Sequence, residues 1–436
     1  MSFSIIILAA GKGKRMNSKV PKVFHKVGNH PMIYHVLDIG MSLKPKFVSL
    51  VISEGLDIYK SEIKKKYKKV LFAKQHKQLG TADAVSTALK EKSLRNSNLS
   101  LILYGDTPLI TTKTLEDSIR KFKKKKADLC VLSMTPSHTN HSYGRLVTKK
   151  SRLIKIIEKS EFKSSYDLDN LCNTGIMLIK TNFLTDALKK IRNNNSKKEF
   201  FLTDIVEVFN KQNMNVIHIE FPYEEFLGVN DKNDLATVEK VFQNRMREKF
   251  LKQGVTLIDP STVFFSADTE IGNDVIIHPN VQFGRKVKLG NRVEIKGFCH
   301  IENSSLNDDV SVGPFARLRD ESEIDKDSKI GNFVEIKKSK IRKNVKISHL
   351  SYVGDAEINN NANIGAGMIT CNYDGYKKNK TYIGENCFIG SNSSLIAPIK
   401  IEKNSIIGAS TVIDKDIPAG TTVYRKSELI KKNNKK

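Results

Sequence analysis

From residue 271 onward the chain repeats itself every six residues, and this period restricts its fold more than any other feature of the 436 residues. An aliphatic residue, often followed by glycine, recurs with a small or aliphatic residue four places later. The hexads IGNDVI, IHPNVQ, FGRKVK, LGNRVE and IKGFCH follow one another directly; after slips of phase come VGPFAR, IGNFVE, IRKNVK, ISHLSY, IGENCF and IGASTV. An isolated half-buried strand repeats every two residues and an amphipathic helix about every 3.6, whereas a six-residue unit suits a short strand followed by a turn. Three such units make one triangular coil of a parallel β-helix, with aliphatic side chains stacked inside and Gly or Asn at corners where φ becomes positive. The coil is a scaffold, so a segment ejected from it is the natural carrier of function. The largest such segment is TCNYDGYKKNKTY, residues 370–382.

The first half follows a different rule. Apolar stretches at residues 3–8, 46–52, 99–104 and 128–134 read as buried strands, and residues 33–41, 81–89 and 114–124 as helices. Such alternation predicts a parallel sheet with helices on both faces. Ligands then lie beyond the carboxyl ends of the strands, which directs attention to the loops after Leu8 and Tyr104. Leu235, Val238, Phe242, Met246 and Phe250 recur at three- and four-residue spacing and predict one long helix over residues 231–251. The expected organisation is a domain over residues 1–226, a linker helix over 227–250 and a second domain over 251–436.

The net charge of +26 invites a nucleic-acid reading, but the lysines occur in scattered short runs such as Lys64-Lys65-Lys66, Lys123 to Lys126 and Lys431-Lys432. Neither interleaved aromatic residues nor a helix-turn-helix pattern accompanies them, so they predict solvated faces. No apolar run reaches the roughly 18 residues a bilayer span needs, and residues 1–7 read as a buried strand, not a secretion leader. The five cysteines, Cys130, Cys172, Cys299, Cys371 and Cys387, contain no C-x-x-C and indicate neither a disulfide framework nor a zinc site. The expectation is a cytoplasmic protein acting on small molecules, with no nucleic-acid or membrane partner.

The segment Leu8-Ala9-Ala10-Gly11-Lys12-Gly13-Lys14-Arg15-Met16 follows the first strand directly. Its small residues allow close approach of a base or phosphate, and Lys12 and Arg15 supply charge to neutralise a triphosphate. It lacks the Gly-Lys-Ser/Thr of a P-loop, and Met16 stands where a dinucleotide fingerprint has its third glycine. Asp106, ending a strand, offers a hard oxygen to Mg²⁺.

The string L-A-A-G-x-G-x-R-M followed by Pro21-Lys22 is similar to the signature of sugar-phosphate nucleotidylyltransferases. Joined to hexapeptide repeats, it resembles the bifunctional N-acetylglucosamine-1-phosphate uridyltransferase/glucosamine-1-phosphate acetyltransferase family of bacteria. The likeness spans nearly the whole chain. It is carried also by Gln78-Leu79-Gly80-Thr81, Tyr104-Gly105-Asp106, Tyr143-Gly144-Arg145, Asn173-Thr174-Gly175, Gly228-Val229-Asn230, Asn332-Phe333-Val334-Glu335 and Cys371-Asn372-Tyr373-Asp374-Gly375. The resemblance implies a Rossmann-like α/β nucleotidyltransferase domain followed by a left-handed parallel β-helix, assembled as a homotrimer. It implies acetylation of glucosamine-1-phosphate from acetyl-CoA, then transfer of UMP from UTP to the N-acetylated sugar phosphate with release of pyrophosphate.

In the first domain the resemblance implies that Arg15 and Lys22 bind phosphates and stabilise developing charge. Leu8, Ala9, Ala10, Gly11, Gln75, Gly80 and Thr81 hold uracil and ribose. Tyr104, Gly105, Gly144, Glu158 and Asn173 meet the sugar, and Asn230 joins Asp106 as the second Mg²⁺ ligand. The chain departs from the family at Lys14 (commonly Thr), at Asp83 (often His) and at Phe200-Phe201-Leu202-Thr203-Asp204, usually a Tyr-containing string.

In the second domain His349, within Ser348-His349-Leu350-Ser351-Tyr352-Val353-Gly354-Asp355, matches the family's catalytic base; acyl transfer to an amine needs a base titrating near neutrality. Arg319 and Lys337 are implied for the acceptor phosphate, Tyr352 and Asn363 for its sugar. Ala366, Asn372, Tyr373, Ser391, Ala409 and Arg425 are implied for acetyl-CoA, with Lys426 adjacent to the last. The alternative is a nucleotidylyltransferase of other sugar specificity whose β-helix is not catalytic; the strings around His349 and Asn372 argue against it.

Overall fold

The computed structural model describes residues 2–137, 143–149, 152–162, 170–426 and 430–432, and every candidate site residue lies within them. The chain divides into two compact units, Met1–Val241 and Phe242–Lys436.

The first unit is built on a sheet whose principal strands lie in the order Val216–Glu220, Leu129–Met134, Cys172–Lys180, Leu99–Tyr104, Phe3–Leu8, Phe47–Ile52, Val70–Lys74. Phe3–Leu8 lies centrally, parallel to Phe47–Ile52 on one side and to Leu99–Tyr104 on the other. The chain runs outward from it in one direction and then crosses back to the other, which opens a crevice beyond Leu8 and Tyr104. Successive side chains point to opposite faces: Ile5 and Ile7 enter one buried core, Ile6 and Leu8 the other.

The sheet is mixed, where the sequence predicts a parallel one. Cys172–Lys180 runs antiparallel between Leu99–Tyr104 and Leu129–Met134, and the hairpin Arg145–Lys149 with Arg152–Ile157 is antiparallel to it and within itself. An all-apolar strand carries no mark of its direction, because burial on both faces looks the same either way. The reversal matters, since it brings the start of this strand, with Asn173, to the carboxyl ends of its parallel neighbours.

The second unit is a three-faced left-handed parallel β-helix. Its sheets contain ten, eight and eight strands, all paired in parallel. The first residues of the hexads point inward, and among them Ile277, Ile295, Val312, Ile330, Ile347, Ile364, Ile389 and Ile407 are at most 1 % exposed. Corners carry positive φ at Asp274, Asn280, Lys286, Arg292, Phe298, Asn303 and Asp309, and at five- or six-residue steps through Asn361. A non-glycine residue in that conformation costs about 1 kcal/mol, which burial of one inward aliphatic side chain, about 1.5–3 kcal/mol, offsets. Few of these corners are glycine; Asn and Asp occupy most of them.

The long helix is Lys232–Lys252. Its C-terminal half belongs to the second unit, where Met246 and Phe250 sit in the same core as Val255 and Phe265.

Candidate active sites

In the first unit the crevice holds adjoining cavities, two of which gather most of the candidate residues. One, of about 240 Å³, is lined by Leu8, Ala9, Ala10, Gly11, Lys22, Gln75, Gly80, Thr81, Tyr104 and Asp106. The other, of about 790 Å³, shares Thr81, Tyr104 and Asp106 and adds Arg15, Gly144, Glu158, Asn173 and Asn230. Of the candidate residues in this unit, Lys12 and Gly105 line neither: Lys12 is exposed and lines a further cavity beside them, whereas Gly105 is buried, and a Cβ there would stand 2.9 Å from Ile33 Cδ1. Gly105 lets the strand end pack closely against Ile33, Ala9 and Val23.

Local bonds shape the smaller cavity. Gln75 Nε2 donates to Gly80 O (3.1 Å) and to Asp83 Oδ2 (2.7 Å), and Gln78 Nε2 donates to Ala10 O (2.9 Å). Asp83, one of the departures from the family pattern, thus orients Gln75. Gly13 has φ +59, and a Cβ there would lie 2.7 Å from Lys22 Cβ; glycine lets the two cationic segments, Lys12 to Arg15 and Lys22, pack against each other.

The phosphate side is defined by two contacts. The Lys22 ammonium pairs with the Asp106 carboxylate, and Arg15 Nη2 donates to Asn230 Oδ1 at 3.0 Å. Asn230 reaches this place because Val229 N–H donates to Asp106 O (3.0 Å), tying a distant loop to the strand end.

On the sugar side, burial raises the pKa of Glu158, with Thr203 opposing through a hydrogen bond from its hydroxyl to Glu158 Oε1 at 2.9 Å. Burial, then the charges of Glu158 and Asp106, push the Tyr104 hydroxyl well above its ordinary value, so it stays neutral. Asp204 is pushed up to about 6 by burial, then by Glu207, Glu158 and Glu161. Asn173 Oδ1 accepts from Gly175 N–H (2.9 Å), and Asn173 N–H donates to Gly144 O (2.8 Å). Thr203 was visible in the sequence only as part of the Phe200-to-Asp204 string.

In the second unit most of the candidate residues lie along one corner of the prism and on the two faces that meet there. His349, Ala366, Ser391 and Ala409 each precede the same corner in successive coils: Gly367 N–H donates to His349 O (3.1 Å), Asn392 N–H to Ala366 O (2.7 Å) and Ser410 N–H to Ser391 O (2.7 Å). Coils repeat about every 4.8 Å, so this line of small residues forms a narrow track leading to His349. Asn363 lies on the same sheet as His349; Arg319, Lys337 and Tyr352 lie on the next, across the corner. Tyr373 is exposed on the ejected loop, whereas Asn372 is buried and its amide donates to Asp355 Oδ2 at 2.6 Å. Arg425 is exposed near the end of the described chain.

Three residues here escaped the sequence reading of roles. Asn332, one coil below His349, accepts a hydrogen bond from His349 Nδ1 through Oδ1; the hexad register already places it there. Asp355 stands 3.7 Å from Lys337 Nζ. Lys378, on the loop, is held below its ordinary pKa first by direct contact with the Lys337 ammonium and then by its charge, with Asp355 opposing. No periodicity could reveal the last contact, because the loop lies outside the repeat.

The nucleotidyl transferase family matches residues 4–227, and the bacterial transferase hexapeptide family (six repeats) matches residues 268–303 and 380–415. The chain is 41% identical over 430 residues to the bifunctional protein GlmU of Wolbachia pipientis wMel, covering 98% of each. It is 42% identical to that of Zymomonas mobilis, over 98% of this chain and 95% of the other, and 42% identical to that of Paramagnetospirillum magneticum, over 98% and 94%. The chain therefore belongs to the bifunctional GlmU family, enzymes of UDP-N-acetylglucosamine synthesis that acetylate glucosamine-1-phosphate and transfer UMP to N-acetylglucosamine-1-phosphate.

Proposed function

We propose that the two reactions run at separate sites: uridylyl transfer in residues 1–226, acetyl transfer in residues 251–436, with residues 227–250 as the connecting helix. The observation that carries this reading is that each unit gathers its own chemically complete set of side chains. Arg15, Lys22, Asp106 and Asn230 converge at one end of the sheet; His349 and Asn332 meet at one corner of the prism, and Tyr352 and Lys337 lie on the face that begins there.

For uridylyl transfer a sugar-phosphate oxygen attacks the α-phosphorus of UTP, and the bond to pyrophosphate breaks. The nucleophile is already anionic, so the protein's task is to orient two polyanions and offset their repulsion. Leu8 to Gly11, Gln75, Gly80 and Thr81 seat the uridine, and Gly144, Glu158 and Asn173 seat the sugar. Arg15 and Lys22 hold the phosphates. Asp106 and Asn230 would hold Mg²⁺, which supplies charge neutralisation at the reacting phosphate. The donor set fits: both groups offer hard oxygens, and both already attract cationic side chains. Among the described residues no group of three or more His, Cys, Asp or Glu is gathered for a metal. Two protein oxygens suit magnesium, which keeps waters and takes its other ligands from substrate phosphates.

For acetyl transfer the Nδ1 proton is committed to Asn332, which leaves Nε2 with its lone pair for the substrate amine. The amine nitrogen attacks the thioester carbonyl, its proton passes to His349 Nε2, the C–S bond breaks, and the proton then reaches the departing thiolate. Gly365 and Gly367 spend their N–H groups on Ile389 O and His349 O, so of the three the Ala366 N–H is the donor for the tetrahedral oxyanion.

A homotrimer completes this reading. One prism face carries alternating charges, with Lys288 Nζ 3.0 Å from Glu270 and Lys340 Nζ 3.7 Å from Glu323, and suits solvent. The corner between the other two faces carries Phe298, Phe315, Phe333 and Leu350, 45–63% exposed, in strained positive-φ backbone. The phenyl rings stack at 4.9 and 5.0 Å. Exposed apolar rings of this size mark an interface, and this edge ends at His349. A cytoplasmic setting fits five cysteines that form no disulfide among the described residues. Among the described residues no helix is long and apolar enough to cross a membrane.

The test is product analysis by mass spectrometry with both substrate pairs supplied. Asp106→Ala is expected to abolish UTP-dependent pyrophosphate release and spare acetyl transfer, and His349→Ala the reverse. Loss of both activities in either variant refutes separate sites.

A further inference from the structure

We propose that Asp355 is a positioning residue that ties the two substrate subsites of the acetyl-transfer site together, holding Lys337 for the acceptor phosphate and Asn372 for the acyl-donor loop. The inference rests on the assignment of Lys337 and Asn372 made above.

Asp355 occupies a corner of the coil immediately beneath the ejected loop, with φ 49 and 8 % exposure. Every polar group it owns is engaged. Its N–H donates to Lys337 O (3.0 Å), and its carbonyl accepts from Thr381 N–H (3.2 Å), where the chain re-enters the prism. Its Oδ2 accepts from Asn372 Nδ2 (2.6 Å), where the chain leaves the prism, and lies 3.7 Å from Lys337 Nζ. Entry and exit of the loop are thus tied to one residue.

The loop is a self-contained unit. Asp374 accepts from the N–H groups of Tyr376 (2.9 Å) and Lys377 (2.8 Å) and from Asn379 Nδ2 (2.9 Å), and Asn379 N–H donates to Asn372 O (2.8 Å). It therefore holds its own shape, and Asp355 sets the place of its two ends. Gly354 permits the contact: a Cβ there would lie 2.5 Å from Tyr352 Oη and 2.7 Å from Asn372 Nδ2.

Charge gives the carboxylate a second task. Lys337 and Lys378 face each other, and the Asp355 carboxylate is the anion that offsets their repulsion. A buried ammonium keeps one orientation only while its counter-charge stays in place. Asp355 thereby holds Lys337 in the geometry the phosphate requires, although its own charge repels that phosphate.

This opposition makes the proposal testable. Asp355→Asn removes one negative charge from the site, which by charge alone would lower the KM for glucosamine-1-phosphate. Lost positioning raises it instead, by about tenfold for one hydrogen bond to a charged group. The asparagine carbonyl can still accept from Asn372, so the KM for acetyl-CoA is expected to stay near wild type. Asp355→Ala removes both ties, and both KM values are expected to rise about tenfold. In both variants kcat at saturation, its pH profile and uridylyl transfer are expected to be unchanged, since His349 and the first unit are untouched. An unchanged or lowered acceptor KM in Asp355→Asn, or a fall in kcat with both KM values unchanged, overturns the positioning role. Lys337→Met separates the two levels of the argument. If that variant leaves the acceptor KM unchanged, the assignment of Lys337 fails; if it raises that KM while both Asp355 variants do not, only the positioning role fails.

Discussion

The Lys22 ammonium sits on the Asp106 carboxylate, the same oxygen group proposed for the divalent ion. Arg15 does the same at Asn230, 3.0 Å away. The ammonium of Lys22 and the guanidinium of Arg15 thus stand where the proposed Mg²⁺ would bind, and its arrival would free both side chains for the triphosphate. Acetic anhydride labelling mapped by mass spectrometry is expected to increase at Lys22 when Mg²⁺ is added alone and to fall again when UTP joins it. Labelling of Lys22 that ignores Mg²⁺ would show that metal and lysine do not compete.

Asn332 is expected to matter as much through what it does to His349 as a conventional orienting partner does. Removing it by Asn332→Ala lets the ring turn and its tautomer scramble. Acetyl transfer should fall about 10–100-fold in kcat, with both KM values and uridylyl transfer retained. Asn332→Asp, which still accepts from Nδ1, should recover most of the loss. Equal activity in Asn332→Ala and wild type would mean the imidazole is held by something else.

Asp204 predicts a pH signature of stability. Its pKa is pushed up to about 6, from an ordinary 3.8, by burial and then by Glu207, Glu158 and Glu161. Between those values the folded chain holds a proton that the unfolded chain has released, so stability from this group is present at the acid end and is lost as pH rises through about 6. Thermal unfolding of the first unit, compared between wild type and Asp204→Asn from pH 4 to 7, should show the variant losing less stability as pH rises. A difference that stays constant across the window would sink the burial argument.

The stacked edge predicts the assembly. Phe333→Asp places a charge between Phe315 and Leu350 and should dissociate the proposed trimer in light scattering. Acetyl transfer should fall with dissociation and uridylyl transfer should persist. A variant that remains a trimer would move the interface elsewhere.

Much of this architecture is legible in the residues. The inward row from Ile277 to Ile407 follows from the six-residue period, because strand-plus-turn spacing is a property of neighbouring residues alone. The loop from Leu8 to Met16 announces its chemistry by composition, and the helix Lys232–Lys252 by its apolar spacing. The direction of Cys172–Lys180 was not legible, since a doubly buried strand is apolar on both faces whichever way it runs. Asp83 and Thr203 carried no sign that they orient Gln75 and Glu158.

Local order along the chain dictates which residues turn inward and where the scaffold is interrupted. Packing between distant segments alone brings Asn230 to Arg15 across 215 positions and Asn372 and Lys337 to Asp355. Such contacts hold only when whole strands and coils are set to within a fraction of an ångström. That is a collective result of burial, which no short stretch of residues encodes.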